Sequence, residues 1–204
     1  MNTLTANIQR EWLARIIEGS KTTEYRDATE FWWNKLERVW PPPFQLRLIN
    51  GMRVDSPEAT VLVEKVENDV LAGQLRFHIT KVLSTTRWDT VWHAKYPPLP
   101  PEPPFDPRTL LGQKLPLMKG AIKVSPQVLD NAQASSPHQF SLKLEHVKLL
   151  ERLMGQGPDP FRVRLSAGDL MREVIVYELR CEPFGDTLYF SVFSLPAAGA
   201  SVPA

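Results

Sequence analysis

The chain has 204 residues, enough for one large or two small domains with an ordinary buried core. Lys and Arg number 24 against 23 Asp and Glu, a net charge of +1, so no global basic field draws in nucleic acid and any such contact rests on a local patch. A single cysteine, Cys181, excludes an internal disulfide and fits a reducing compartment. With no signal-like N-terminus and no apolar run of bilayer length, the expectation is a cytoplasmic protein that does not engage membranes.

In chain order, Ile8, Trp12 and Ile16 recur at helical spacing with Leu13 and Ile17 beside them, which predicts a helix over 5–18 that Gly19 stops. Thr22, Thr23 and Tyr25 then favour an extended segment, with Thr22, Glu24 and Arg26 on one side and Thr23 and Tyr25 on the other; Lys21 sits at the joint. Asp27 or Thr29 caps a short helix over 28–38 that carries Phe31, Trp32, Trp33 and Leu36, and Pro41-Pro42-Pro43 ends it. The pattern over 44–54 is a hairpin about Asn50-Gly51, the pair best suited to a two-residue turn. That register sets Ile49 against Met52 and Leu48 against Arg53, so that Arg53 shares a face with an apolar side chain: either the register differs or the arginine stands at the lip of a cleft.

Strands follow over 60–66 and 75–83, the second with Leu75, Phe77 and Ile79 on one face and Arg76, His78 and Thr80 on the other. Seven of the nineteen prolines fall between Pro97 and Pro107, which forbids helix or central strand there and marks a linker or a long packed loop. Beyond it, β patterns return over 139–147, 161–165, 174–181 and 188–195, the last two joined around Gly185-Asp186. Leu149, Leu150, Leu153 and Met154 allow a helix between the first two, and the tail over 197–204 is expected to be loose. An echo links Gln74-Leu75-Arg76-Phe77-His78-Ile79 and Val82 with Gln139-Phe140-Ser141-Leu142-Lys143-Leu144 and Val147, the one hint of an internal repeat. The division expected is 1–95 as a barrel domain, 96–137 as a proline-rich linker or loop, 138–196 as a β-rich C-terminal region and 197–204 as tail.

The chemistry concentrates at Lys21, Glu24 and Arg26. Arg offers a fixed fork and Lys a mobile charge to phosphate oxygens, and Glu24 accepts from a base edge, orients Lys21 or acts as a base. Ser20-Lys21-Thr22 is no phosphate-binding P-loop, because Ser precedes the Lys and the helix comes first. Trp32 is the candidate stacking platform for a base, while Trp40, Trp88 and Trp92 read as packing residues. His78, His93, His138 and His146 are scattered without ligand-like spacing, so no metal or cofactor is expected; His78 alone is kept near the cleft.

A helix ending in Gly, then Gly19, Lys21, Glu24 and Arg26 in the pattern G-x-K-x-x-E-x-R, resembles the signature of ASCH domains of the PUA-like β-barrel superfamily. The resemblance continues through Phe31-Trp32-Trp33, the Ile49-Asn50-Gly51-Met52-Arg53 hairpin and the runs ending near Leu83, a little under half the chain. It implies an α+β fold: a small PUA-like β-barrel with flanking helices, followed by the β-rich region. It further implies a cleft lined by Lys21, Glu24 and Arg26, and RNA or a nucleotide-like small molecule as partner. Arg53 and Trp32 complete the expected binding set. Some relatives are enzymes, one branch an amidohydrolase on acylated cytidine and another a ribonuclease; a hydrolase here would use Lys21 and Glu24. The amidohydrolase branch has a Thr three residues beyond its Lys, a position that Glu24 fills in this chain. The remaining alternative is a protein-interaction module in the C-terminal β region, with an exposed apolar edge.

Overall fold

The computed structural model describes residues 1–51, 53–101, 103–132, 137–143 and 160–194. It is a mixed α and β protein, strands dominant, and divides into two compact units: Met1–Asn68 with Gln74–Pro104, and Asp69–Gly73 with Phe105–Ala204.

The first unit holds β1 (Thr3–Asn7), α1 (Arg10–Glu18), β2 (Thr23–Asp27), α2 (Glu30–Glu37), β3 (Phe44–Ile49), β4 (Glu58–Asp69), β5 (Gln74–Thr86) and α3 (Val91–Lys95). The expected helix over 5–18 starts later, because Leu4 and Ala6 alternate inward with exposed Thr3, Thr5 and Asn7, a strand period that lets β1 run parallel to β3. From Arg10 the period becomes helical: Leu13, Ala14 and Ile16 are buried, each large apolar side chain contributing roughly 1.5–3 kcal/mol. Gly19 closes α1 at φ 88°, where a side chain is strained, and its N–H donates to the Ile16 carbonyl.

The strand order is β1-β3-β4-β5-β2, parallel between β1 and β3 and antiparallel in the β3–β4 and β2–β5 ladders. No ladder joins β1 to β2 among the described residues, so the closed barrel expected from the sequence is here an open sheet. The end of β1 is served by side chains instead: the Asn7 carbonyl accepts from Arg26 Nη2 at 2.7 Å and the Ile8 carbonyl from Asn50 Nδ2 at 2.9 Å. The core gathers Phe44, Leu46, Leu48, Val61, Val63 and Phe77 with the inner face of α1.

The expected two-residue turn at Asn50-Gly51 is corrected. Ile49 pairs with Glu58 and Leu48 with Ala59, leaving a loop over 50–57 that the Asn50 N–H closes on the Pro57 carbonyl. Asn50 spends its side chain on Ile8 and Arg10, and Pro57 has no N–H to give, so the strands resume only at Glu58.

The second unit holds a 3-10 turn (Pro107–Leu110), β6 (Leu117–Lys123), α4 (Pro126–Asn131), β7 (His138–Lys143), β8 (Phe161–Ala167), β9 (Leu170–Cys181) and β10 (Thr187–Ser194). The stretch 96–137, expected as linker or loop, therefore carries a strand and a helix, the helix opened by Ser125 capping the Val128 N–H ahead of Pro126. The readings for 144–147, for Leu149, Leu150, Leu153 and Met154, and for the tail lie outside the described residues.

The strand order of the second unit is β6-β8-β9-β10-β7, parallel in the first pair and antiparallel in the rest. Numbered within its own unit, each set of five strands has the order 1-3-4-5-2. The match extends to single residues. Pro43-Phe44-Gln45-Leu46-Arg47-Leu48 corresponds to Pro160-Phe161-Arg162-Val163-Arg164-Leu165. Leu48 faces Ala6 as Leu165 faces Ile122, and the N–H of Ile8 donates to Ile49 as that of Val124 donates to Ser166, both at 2.9 Å. The echo in the sequence points to a repeat but pairs the wrong strands: β5 matches β10, and β7 matches β2. Where the first unit has its 50–57 loop, the second has a two-residue turn at Gly168-Asp169, Gly168 at φ 60° between paired Ala167 and Leu170.

Candidate ligand-binding cleft

Lys21, Glu24 and Arg26 meet because α1 ends in a left-handed glycine and the chain turns directly into β2. The Lys21 N–H is held on the Arg15 carbonyl at 3.0 Å, and from Thr23 the strand alternates, turning Glu24 and Arg26 inward and Tyr25 outward. Glu24 is buried at 4% exposure opposite Phe77. One carboxylate oxygen accepts from Lys21 Nζ at 2.9 Å and the other pairs ionically with Arg26 Nη2 at 2.8 Å. Burying a carboxylate without partners costs several kcal/mol, and here the two cations pair with both of its oxygens. Lys21 also donates to the Thr23 backbone carbonyl; its ammonium lies 5.0 Å from the Tyr25 ring centroid and 5.9 Å from that of Trp12.

These three line a cleft of about 1130 Å³ inside the first unit. Trp12 and Tyr25 stand on its walls beside Lys21, and the amides of Asn7, Asn50 and Gln74 reach it as well. Leu99, Pro100 and Pro101 add an apolar wall, so the start of the proline-rich stretch is a cleft-lining loop. The sequence did not signal Asn7 or Asn50 as lining residues: Asn7 fell within the expected helix over 5–18 and Asn50 in the expected turn. A signal did exist for Asn50, since the residues needed for a tight turn are also those whose short amide bonds to nearby backbone.

The other expected site residues lie elsewhere. Arg53 is 88% exposed by side chain, 3.9 Å from Asp55, and lines no part of the cleft; the 50–57 loop carries it away. Trp32 packs on the core with its ring centroid 6.4 Å from that of Phe77, and the Arg26 guanidinium lies 5.1 Å from its ring centroid. Together with Phe31, Lys35 and Asp27 it lines a smaller groove of about 370 Å³ that shares Asn7, Tyr25 and Arg26 with the main cleft. Phe31 there is 59% exposed and has the Lys35 ammonium 4.7 Å from its ring centroid.

His78 sits opposite Thr23 and bonds Glu67 at 2.7 Å, outside the cleft lining. His93 accepts from Trp88 Nε1 at 3.0 Å, His138 lies on β7, and His146 is outside the described residues. Cys181 is half-buried beside the second unit's core. Among the described residues no three His, Cys, Asp or Glu side chains are placed to hold a metal ion, and no helix is long and apolar enough to cross a membrane.

Register carries the cleft positions across to the second unit. Glu24, opposite Phe77, corresponds to Phe140, opposite Phe190; Arg26, opposite Leu75, corresponds to Leu142, opposite Leu188; Lys21, two residues before Thr23, corresponds to Pro137. Burial follows the same pattern, with Glu24 and Phe140 buried and Tyr25 and Ser141 exposed. Phe140 stacks on Phe190 with ring centroids 4.9 Å apart, where the first unit holds its ion pairs. Compared with known protein families, curated proteins and solved structures, the chain matches none.

Proposed function

We propose that the first unit is an ASCH-like domain of PUA-like descent and that its cleft binds RNA or a nucleotide-like ligand. The observation that carries the reading is the convergence of Lys21 and Arg26 on buried Glu24 in a cleft walled by Trp12 and Tyr25. The trio holds one net positive charge, and the remaining N–H groups of the two cations suit phosphate oxygens. The aromatic rings suit a base face, and the Gln74 amide suits its hydrogen-bonding edge. A cleft of about 1130 Å³ exceeds the roughly 300–1,000 Å³ usual for small-molecule sites and has room for more than one nucleotide.

Binding is favoured over hydrolysis by the partners of Lys21. Its ammonium is taken up by the Glu24 carboxylate and a backbone carbonyl, and among the described residues no hydroxyl is bonded to it, so Thr22 and Thr23 are not primed as nucleophiles. The test is incubation of the full chain with a mixed pool of single-stranded RNA and modified nucleosides, reading retained ligand and new products by mass spectrometry. Retained RNA or nucleotide without product is the expected result. Lys21→Ala and Arg26→Ala should each lower affinity at low salt and flatten its salt dependence by about one phosphate contact. Equal affinity and equal slope in wild type and both variants would overturn the reading.

A further inference from the structure

We infer that the chain is a tandem duplication of one fold in which, among the described residues, the first copy keeps the charged trio and the second has apolar side chains in its place, and that the Lys21, Glu24 and Arg26 cluster is maintained for a ligand and not for folding. The inference does not depend on which ligand the cleft takes. Two units with the same 1-3-4-5-2 strand order are joined by a shared Pro-Phe-x-x-Arg-Leu run and by equivalent ladder partners at its end, where Leu48 faces Ala6 and Leu165 faces Ile122. Five strands admit many orders, and the parallel first pair with a helix before the second strand recurs in both.

The second unit answers a question that a single domain leaves open. A buried carboxylate clamped by two cations is either a structural keystone or a functional group that the fold tolerates. At the matching register the second unit places Pro137, Phe140 and Leu142, and its strands pair there without interruption. The same strand order thus closes around an apolar cluster, with Phe140 stacked on Phe190. Replacing buried ion pairs by packed apolar side chains is commonly neutral or stabilising, so a fold free of functional demand has no need of the trio. The second copy also lacks the 50–57 loop that carries Asn50 and Gly51 to the cleft, replacing it with the turn at Gly168-Asp169. Cluster and loop are present together in one copy and absent together from the other, as expected of parts of one site.

The test exchanges residues between the copies in the full-length chain. The first variant is Lys21→Ala/Glu24→Phe/Arg26→Leu; Ala replaces Lys21 because a Pro would remove the N–H bonded to Arg15. The second, Lys21→Met/Glu24→Leu/Arg26→Met, fills the same space with smaller, more adaptable side chains. Far-UV circular dichroism and thermal melting are compared with wild type. At least one variant should keep the wild-type spectrum and a cooperative melt within about 5 °C of wild type. In the reverse exchange, Phe140→Glu/Leu142→Arg should lower the melting temperature by roughly 5 °C or more, because no second cation stands at position 137. Loss of cooperative melting in both apolar variants, or a reverse exchange that melts like wild type, would overturn the inference.

Discussion

Arg26 donates to the backbone carbonyl of Asn7 at 2.7 Å, and that bond links β2 to β1, the two strands at opposite ends of the first unit's order. The same guanidinium nitrogen lies 2.8 Å from Glu24. Arg26 therefore reaches both ends of the strand order and sets the charge of the cleft, and what its loss costs depends on whether the buried Glu24 carboxylate stays behind. Arg26→Ala removes a charge-assisted bond and leaves Glu24 with one cation. It should cost about 2–3 kcal/mol and lower the melting temperature by several °C in a thermal scan. Adding Glu24→Gln should recover part of that loss, since no carboxylate is then left half-paired.

The smaller groove beyond Arg26 predicts a dependence on ligand length. Phe31 is the exposed ring there, with Lys35 against it, whereas Trp32 is partly buried against the core. Phe31→Ala should weaken a short single-stranded oligonucleotide by about 1–3 kcal/mol and leave a mononucleotide unaffected, as read by titration calorimetry on both ligands. An equal effect on both would place Phe31 outside the path of the strand.

Stoichiometry follows from the second unit's apolar register. Titration should give one ligand per chain, and Lys21→Ala/Arg26→Ala should abolish that single binding event without exposing a weaker one. Two wild-type sites would show that the second unit binds through groups other than those at Pro137, Phe140 and Leu142.

Tyr177 on β9 gives a pH signature. Burial, reinforced by the charge of Glu178, raises its phenol above the ordinary value of 10.0, so the folded chain holds that proton more tightly than the unfolded one. Its contribution to stability is complete below pH 10 and is lost as pH climbs from there through the raised folded value. Melting temperatures measured from pH 9 to 12 should fall less steeply for Tyr177→Phe than for wild type.

The central trio was legible in the sequence because it is local: eight residues from Gly19 to Arg26 hold the helix stop, the turn and the strand alternation. The strands at 60–66, 75–83 and 174–181 were legible for the same reason, since a period of two needs no distant partner. Arg53 was misplaced by a propensity that other bonds override: Asn50-Gly51 favours a tight turn, but Asn50 is engaged by Ile8 and Arg10 across 42 and 40 residues. The start of α1 was extended too far because Ile8 satisfies the helical and the strand period alike. Strand order, and with it the true pairing of the repeat, depends on contacts between distant segments. Alternating strands look alike locally, which is why β5 was likened to β7 and not to β10.

Two copies of one strand order in a single chain set a problem during folding, because each strand has a close counterpart that offers a plausible but mistaken partner. The unequal connections after β3 and β8 guard against this exchange. A loop over 50–57 brings β4 to β3 with Ile49 facing Glu58, while a two-residue turn brings β9 to β8 with Ala167 facing Leu170. The β8–β9 hairpin closes locally and quickly, before a distant strand competes for its edge. The difference in loop length thus serves as an address label, keeping each copy's strands at home while the chain is still assembling.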